Sequence, residues 1–195
     1  MNIRQQTQNQ LKQAGFSYIE VMIALIILMI GILGLTSALS ANLIRSYEAE
    51  KKIVAKQSAL SAIESIISAR DIRRPGAVAG WDTVGNVGAN VVDGIPRGIF
   101  LTNFCPIRED LGWDGVAGTA DDACAGTGAC NGGQASNTSP VIQGFQRKIV
   151  ITDIPDPDRP SPPNAIARRR IDVTIRYNVN QITRDEVVST IVTNY

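Results

Sequence analysis

The chain has 195 residues, with 19 Lys and Arg against 18 Asp and Glu and no histidine. This near-neutral balance argues against a general nucleic-acid-binding protein, whose binding domain is normally strongly basic. Without histidine the chain lacks the commonest general base and the commonest ligand for zinc, copper and iron. The sequence also shows no pattern of a nucleophile with a neighbouring base and no phosphate-binding loop. We therefore do not expect an enzyme.

A polar segment, residues 1–15, opens the chain and contains Arg4 and Lys12 but no acidic side chain. This charge pattern suits the cytoplasmic side of a membrane. Residues 21–44 carry no charge, and at about 1.5 Å per residue such a helix crosses a hydrocarbon core of about 30 Å. We therefore predict a membrane-spanning helix. It holds one carboxylate, Glu20, at its start, where a charge is costly without a partner or a function.

The junction Gly15-Phe16, the position of Glu20 four residues after Phe16, and the long apolar helix together resemble the precursor of a type IV pilin or pseudopilin. Within that superfamily the helix is most similar to the PilV-type minor pilins. The segments that carry this similarity are Ile19-Glu20-Val21, Ala24-Leu25, Ile30-Gly31 and Leu33-Gly34-Leu35. The resemblance ends with the apolar segment, so the rest of the chain needs an independent interpretation.

The resemblance implies that prepilin peptidase cleaves between Gly15 and Phe16, removes the leader 1–15 and methylates the new amino group of Phe16. It implies that Glu20 pairs with the amino terminus of a neighbouring subunit during assembly. The implied partners are other major and minor pilins, the inner-membrane assembly platform and, before assembly, membrane lipid. The implied location is the bacterial inner membrane, crossed once with the carboxy-terminal domain in the periplasm, and then the pilus at the cell surface.

Three functions remain open at this point. The first is a minor pilin that enters a type IV pilus and helps to prime its assembly, and the second is a minor pseudopilin of a type II secretion system. The third is a signal-anchored periplasmic binding module. An ordinary secretory signal would place its apolar stretch before the cleavage site, and a plain anchor has no need for Glu20. For Glu20 itself, the alternative to a role in assembly is that its side chain lies at the membrane interface and extends toward water.

The helix is predicted to continue beyond the membrane, with a transmembrane half at 16–40 and an amphipathic half at 41–74. Residues 40–70 contain neither proline nor glycine, which favours helix. Isoleucine and leucine side chains recur there at helical spacing, which predicts that they face a domain core. These residues are Ile53, Leu60 and Ile67, joined by Ile63 and Ile66. Pro75 and Gly76, after Arg73 and Arg74, are predicted to stop the helix.

Two glycines, Gly31 and Gly34, are the predicted points of flexibility in the helix, because glycine lowers helix propensity by up to about 1 kcal/mol relative to alanine. No proline occurs between Phe16 and Arg74. Major type IV pilins usually carry a proline in the exposed part of this helix, and the corresponding region here, around Ser37, has none. This departure fits a minor subunit.

Residues 75–195 are predicted to form the periplasmic globular domain. Its first part, 75–145, is loop-rich, since 14 of the 17 glycines lie in 76–144, and its best strand is 99–104. Its second part, 146–195, alternates apolar and polar residues and predicts three antiparallel strands. These lie at 148–152, 171–177 and 186–193. The predicted fold is therefore α+β and type IV pilin-like, a long amino-terminal helix packed on a small antiparallel sheet with a long loop-rich insertion.

Three cysteines, Cys105, Cys124 and Cys130, lie in the loop-rich part. The implied periplasmic location favours disulfides, but three cysteines cannot all pair. We favour a bridge that joins Cys130 to Cys105 or to Cys124, and the connectivity stays open.

Four carboxylates separated by glycines, Asp110, Asp114, Asp121 and Asp122, suggest a calcium site, because calcium prefers oxygen ligands. The alternative is a solvated turn in which aspartates bind their own backbone. We expect no other cofactor.

Two further features allow a binding or a structural role. Arg168, Arg169 and Arg170 could contact DNA or an acidic partner, but are more simply a solvated strand edge. Trp81 and Trp113 could anchor a partner, but large aromatic residues more often pin loops to their own domain.

Overall fold

The computed structural model describes residues 15–72, 80–112, 114–123 and 139–194. Its helices and strands are α1 (Tyr18–Asp71), α2 (Gly80–Thr83), β1 (Val91–Val92), β2 (Ile95–Pro96), β3 (Cys105–Arg108), α3 (Ala120–Ala123), β4 (Val141–Ile154), β5 (Arg168–Val179) and β6 (Ile182–Thr193). The chain divides into two compact units, 1–46 and 47–195, and each unit is described by itself.

Helix α1 begins where the backbone nitrogens of Glu20 and Val21 donate to the Ser17 carbonyl, at 3.0 and 3.2 Å. It then runs without interruption to Asp71, as expected for a stretch without proline. The predicted long helix is confirmed. The predicted stop at 73–76 lies outside the described residues, and so do residues 1–14 of the predicted leader 1–15.

The main sheet has four antiparallel strands in the order β3-β4-β5-β6. Strands β5 and β6 form a hairpin whose two turn residues, Asn180 and Gln181, have positive φ values of 46° and 70°. Such a turn matches the right-handed twist of paired strands. The three strands predicted after residue 146 are confirmed, although each is longer than predicted, and the α+β class is confirmed with them.

Alanines form most of the face of α1 that packs on the sheet within the second unit. The buried residues of this face are Ala55, Ala59, Ala62, Ile63, Ile66 and Ala69. The buried strand residues Ile149, Val173 and Ile175 belong to the same core cluster. The core therefore combines mostly small residues on the helix with large residues on the strands.

The predicted stripe on α1 is partly wrong. Ile63 and Ile66 are buried, but Ile53 and Leu60 are 57% and 51% exposed. Ile67 is half-buried against the core. The seven-residue spacing keeps Ile53 and Leu60 on one face of the helix. At about 100° per residue, Ile53 lies about 200° around the helix from Ala55, so that face is turned away from the buried alanines.

The prediction of a strand at 99–104 is also wrong. The backbone groups of these residues hydrogen-bond to other loops and not to a neighbouring strand. Phe100 is fully buried, and Leu101 N donates to Gly118 O at 2.9 Å. Gly118 has a φ of +91°, and a β-carbon there would lie 2.2 Å from Ile149 Cδ1. This close approach allows the loop to lie on the sheet, and the strand itself forms later, at β3.

One side chain completes the β4 edge of the sheet beyond the short strand β3. The Asn86 amide nitrogen donates to Ile149 O at 2.9 Å and to Phe100 O at 3.2 Å. The amide oxygen accepts from Ile151 N at 2.8 Å. Asn86 thus binds β4 as the backbone of another strand would, and satisfies groups that would otherwise stay unpaired at the edge.

Arg169 corrects the prediction of a solvated arginine edge. Strand β5 lies between β4 and β6, and Arg169 is only 5% exposed. Its guanidinium donates to the Trp81 and Val84 carbonyls at 2.5 and 2.8 Å and to Asp153 at 2.8 Å. It also stacks 4.3 Å from the centre of the Trp81 ring. Trp81 is buried in turn, which confirms that it pins its loop to the domain.

Candidate processing and assembly site

The predicted cleavage junction lies just before α1. Gly15, Phe16 and Ser17 are not helical, and Phe16 is exposed. A β-carbon built at Gly15 meets no atom within 4 Å. The fold of the described residues therefore sets no requirement for glycine at this position. The described part of the junction is therefore exposed and lies outside the helix, and cleavage there stays a prediction.

Glu20 lies in the first turn of α1, where the positive end of the helix dipole favours a carboxylate. Its side chain is exposed, and within the described residues no hydrogen bond or ion pair reaches its carboxylate. A helix terminus alone does not offset the cost of a charge in lipid. The described residues therefore supply no cation to Glu20, and its pairing with another subunit stays a prediction.

The apolar part of α1 is fully exposed within its own unit. Tyr18–Asp71 contains a window with a mean hydropathy of 2.6, none of it buried, and it is the one helix among the described residues long and apolar enough to cross a membrane. The exposed residues include Ile23, Leu28 and Leu33. Burial of these side chains in lipid or against other helices would stabilise the segment by about 25 cal/mol per Å² of apolar surface.

Gly31 and Gly34 are helical in the structure, and a β-carbon at either position meets no atom within 4 Å. Close by, the Thr36 hydroxyl donates to Ile32 O at 2.8 Å, and the Ser40 hydroxyl donates to Thr36 O at 3.0 Å. Such bonds to the preceding turn favour a slight bend in a helix. Flexibility at the two glycines stays a prediction.

The aspartates of the acidic loop bind backbone groups of the loop itself. Asp110 Oδ1 accepts from Gly112 N at 3.1 Å, and Asp114 Oδ1 accepts from Val116 N at 2.7 Å. Asp121 accepts from Asp114 N at 3.3 Å and from the Thr119 hydroxyl. Among the described residues no group of three or more potential ligands could hold a metal ion. The aspartates bind the backbone as the alternative expects, but Asp121 and Asp122 are buried, so the turn is not solvated throughout. Calcium binding stays an untested prediction.

Asp122 forms a buried ion pair that the sequence analysis missed. Its Oδ2 lies 2.5 Å from Arg147 Nη2, and each side chain is about one twentieth exposed. Asp122 also accepts from Gly118 N at 2.8 Å. Burial raises the pKa of Asp122 to about 6, although the Arg147 guanidinium opposes this shift. Arg147 lies on the inward side of β4, between Phe145 and Ile149. Because side chains alternate along a strand, its position between two apolar residues at a spacing of two could have indicated that it points inward.

Cys105 begins β3 and pairs across the ladder with Arg147. It is half-buried and unbridged among the described residues, and burial raises the pKa of its thiol. Cys124 and Cys130 lie outside the described residues, as does Trp113. The predicted disulfide therefore stays a prediction.

Comparison with known proteins gives one finding for the amino-terminal segment. Residues 10–36 match the family model of the prokaryotic N-terminal methylation motif. No curated protein and no solved structure matches the chain. The matched residues include Gly15, Phe16 and Glu20 and end within the exposed apolar part of α1. The motif, together with the α+β fold, supports a place for this chain in the superfamily of type IV pilins and pseudopilins.

Proposed function

We propose that the protein is a minor pilin of a type IV pilus. It is stored in the bacterial inner membrane by α1, matured by prepilin peptidase between Gly15 and Phe16, and methylated at Phe16. It then enters the pilus, where it promotes assembly by contacts with other major and minor pilins and with the assembly platform. The observation that carries this proposal is the methylation motif at 10–36, which spans the junction and the exposed apolar helix.

The position of Glu20 supports a direct role in assembly. Cleavage after Gly15 would leave a cationic amino group at Phe16, and methylation keeps its charge. That group, on a neighbouring subunit, is the partner that the exposed Glu20 carboxylate lacks among the described residues of its own chain. An ion pair between them would relieve much of the cost of both charges in an apolar environment.

One feature supports a minor subunit over the principal one, because helix α1 contains no proline in its exposed part. The domain carries its own compact core on a four-stranded sheet, as either a pilin or a pseudopilin would. The orientation that we propose places this domain in the periplasm and later on the surface of the pilus.

A deletion experiment separates this proposal from a minor pseudopilin of a type II secretion system, which would carry the same motif. Deletion of the gene should abolish or reduce surface pili and twitching while leaving enzyme secretion intact. Loss of secreted enzymes with normal pili would instead identify a pseudopilin. Normal pili together with normal secretion would support a membrane-anchored binding module. Complementation with the unchanged gene is the control.

A further inference from the structure

The side of α1 that faces away from the sheet carries one continuous stripe of side chains within the unit 47–195. Its members follow each other at spacings of three and four residues, which places them on one side of a helix. They are Glu50, Ile53, Gln57, Leu60 and Glu64, and all five are exposed. We call this set the outer stripe. Two large apolar side chains therefore lie between two carboxylates on a surface that the sheet does not cover.

The lysines of this part of α1 are turned toward the sheet. Lys52 and Lys56 lie 3.8 and 3.5 Å from the Glu186 carboxylate of β6. Lys51 Nζ lies 4.9 Å from the centre of the Phe145 ring of β4. None of the basic residues of 47–71 belongs to the outer stripe; they are Lys51, Lys52, Lys56 and Arg70.

The two carboxylates of the outer stripe have no ion pair among the described residues. On a helix, a side-chain ion pair normally joins residues three or four positions apart. The residues at those distances from Glu50 and Glu64 are all uncharged. By contrast, Glu48 on the same helix pairs with Arg184 at 3.3 Å. The outer stripe therefore presents two uncompensated negative charges, about 21 Å apart at about 1.5 Å per residue.

A partner that covers Ile53 and Leu60 must also approach the two carboxylates. Burial of the apolar side chains is favourable, but burial of a charge is costly unless an opposite charge pairs with it. A complementary partner therefore carries apolar side chains at its centre and a cation toward each end of the contact. The stripe repeats every seven residues, as does the seam between two packed helices, so an α-helix fits it.

A second copy cannot offer this complement through the same stripe. In a parallel pairing that brings Ile53 and Leu60 against their counterparts, each glutamate meets its own counterpart. In an antiparallel pairing, Glu50 of one copy meets Glu64 of the other. Either arrangement places like charges together, which is destabilising. This repulsion arises within 50–64 and is independent of where residues 1–46 lie.

We propose that the outer stripe binds an α-helix of a different protein, which carries apolar side chains at seven-residue spacing and a lysine or arginine near Glu50 and near Glu64. The apolar contacts supply most of the affinity, and the paired charges select the partner and its alignment. The partner is another subunit of the filament, and this identification rests on the proposed function. The binding surface itself depends only on the exposed stripe and its unpaired carboxylates.

Carboxyl labelling of the full chain tests the proposal. A carbodiimide with glycine ethyl ester converts accessible carboxylates to amides, and mass spectrometry measures each site. The chain is labelled in native membranes with their filaments and again after purification in detergent. Glu50 and Glu64 should be labelled at least about tenfold less in the native preparation, whereas Glu109, exposed elsewhere in the domain, should be labelled equally in both. Equal labelling of Glu50 and Glu64 in the two preparations would overturn the proposal.

Charge reversal provides matched variants. Glu64→Lys places a cation against the partner's cation, so the protection of Glu50 should be lost. Glu109→Lys makes the same change outside the stripe, and the protection of Glu50 should persist. Both positions are exposed, so both chains should keep the urea-unfolding midpoint of the native chain. Protection of Glu50 that survives Glu64→Lys in a folded chain would refute a basic partner.

A second variant covers a Glu64→Lys chain that fails to fold. Glu64→Gln keeps the size of the side chain and removes only its charge. It should also reduce the protection of Glu50, because the partner's cation is left unpaired. Unchanged protection in Glu64→Gln would refute a basic partner in the same way.

Two controls separate the other occupants and the possible failures. The chain is also labelled in the membranes of a host without the other proteins of a pilus or secretion system. Protection of the outer stripe there would identify a second copy or lipid and overturn the different-protein occupant. Mass analysis of the amino terminus in the native sample tests the proposed function separately. A chain that retains residues 1–15 would contradict that function, while the labelling of Glu50 and Glu64 would still decide the binding surface.

Discussion

At the residue scale, the two most informative carboxylates, Glu20 and Asp122, lie in contrasting environments. Glu20 is exposed and has no partner within the described part of its chain, whereas Asp122 is buried beside Arg147. A carboxylate without a partner in an apolar segment suggests a role between molecules. A buried pair that also binds backbone suggests a role within the fold, because removal of one partner leaves an uncompensated charge.

Replacement of Glu20 by Gln should leave leader cleavage intact and reduce incorporation into filaments by at least about tenfold. The reason is the lost ion pair, since a charge left without its partner in lipid costs about 2.5–3.5 kcal/mol. Quantification of the variant in sheared filaments against the membrane fraction measures this effect. Glu109→Gln removes the same charge from an exposed position in the domain and should incorporate normally. Equal incorporation of both variants would refute the role of Glu20.

Asp122 should make stability depend on pH. Its pKa is raised from 3.8 to about 6 in the folded protein, so the folded state binds more protons between these values. Its contribution to the free energy of unfolding is therefore largest below about pH 4 and is lost as the pH rises through about 6, by up to about 3 kcal/mol. Urea unfolding at pH 4 and pH 7 should show this loss in the native chain relative to Asp122→Asn. An identical pH dependence of the two proteins would contradict the assignment.

At the element scale, α1 has a face of alanines against the sheet and a pair of large apolar side chains on the far side. Ala59→Leu should destabilise the protein by about 1–3 kcal/mol, because a well-packed core has no space for the added carbons. The exposed neighbour provides the control, since Leu60→Ala should change the free energy of unfolding by no more than about 0.5 kcal/mol. Denaturant unfolding of both variants measures the difference. A larger effect of Leu60→Ala than of Ala59→Leu would indicate that the predicted stripe of Ile53, Leu60 and Ile67 faces the core after all.

The edge of β4 supplies a second test at this scale. Asn86→Ala should cost about 1–3 kcal/mol, because it leaves Ile149 O and Ile151 N at the edge without their partner. Asn86→Asp keeps the oxygen that accepts from Ile151 N but turns a carboxylate oxygen toward the Ile149 and Phe100 carbonyls, so its cost at neutral pH should be at least as large. Thermal unfolding compares the two variants. Two equal and negligible shifts in Tm would show that the amide does not support the edge.

The spacing of apolar residues correctly predicted the long helix and the strands, whose structure depends on nearby residues. It failed to predict side-chain positions that depend on contacts between residues far apart in the sequence. Helix α1 and the inward side chains Ile171, Val173 and Ile175 follow directly from spacing. The spacing of Ile53 and Leu60 was misleading, because alanines carry too little hydrophobic signal to mark the buried face. Arg169 lies on the same inward side of β5 as Ile171, two residues away. It was predicted to be solvated because it is charged. The bonds of Asn86 join residues that are far apart in the sequence, and no local pattern marks them.

At the scale of the whole molecule, the chain combines an amino-terminal methylation motif, an apolar helix and an α+β domain. The motif matches residues 10–36, which include the start of the helix, and the domain lies in the unit 47–195. In the proposed function, the exposed side chains of residues 21–44 are the surface by which the subunit would be held in the membrane and later packed among its neighbours.

Mass spectrometry of the mature amino terminus tests the central claim most directly. The account predicts a chain that begins at Phe16 with a methylated amino group and lacks residues 1–15. Gly15→Val should block this processing without harming the fold, because its β-carbon meets open space, and Gly31→Ala should be processed normally. A mature chain that keeps its leader, or one that begins at Phe16 without a methyl group, would contradict the account.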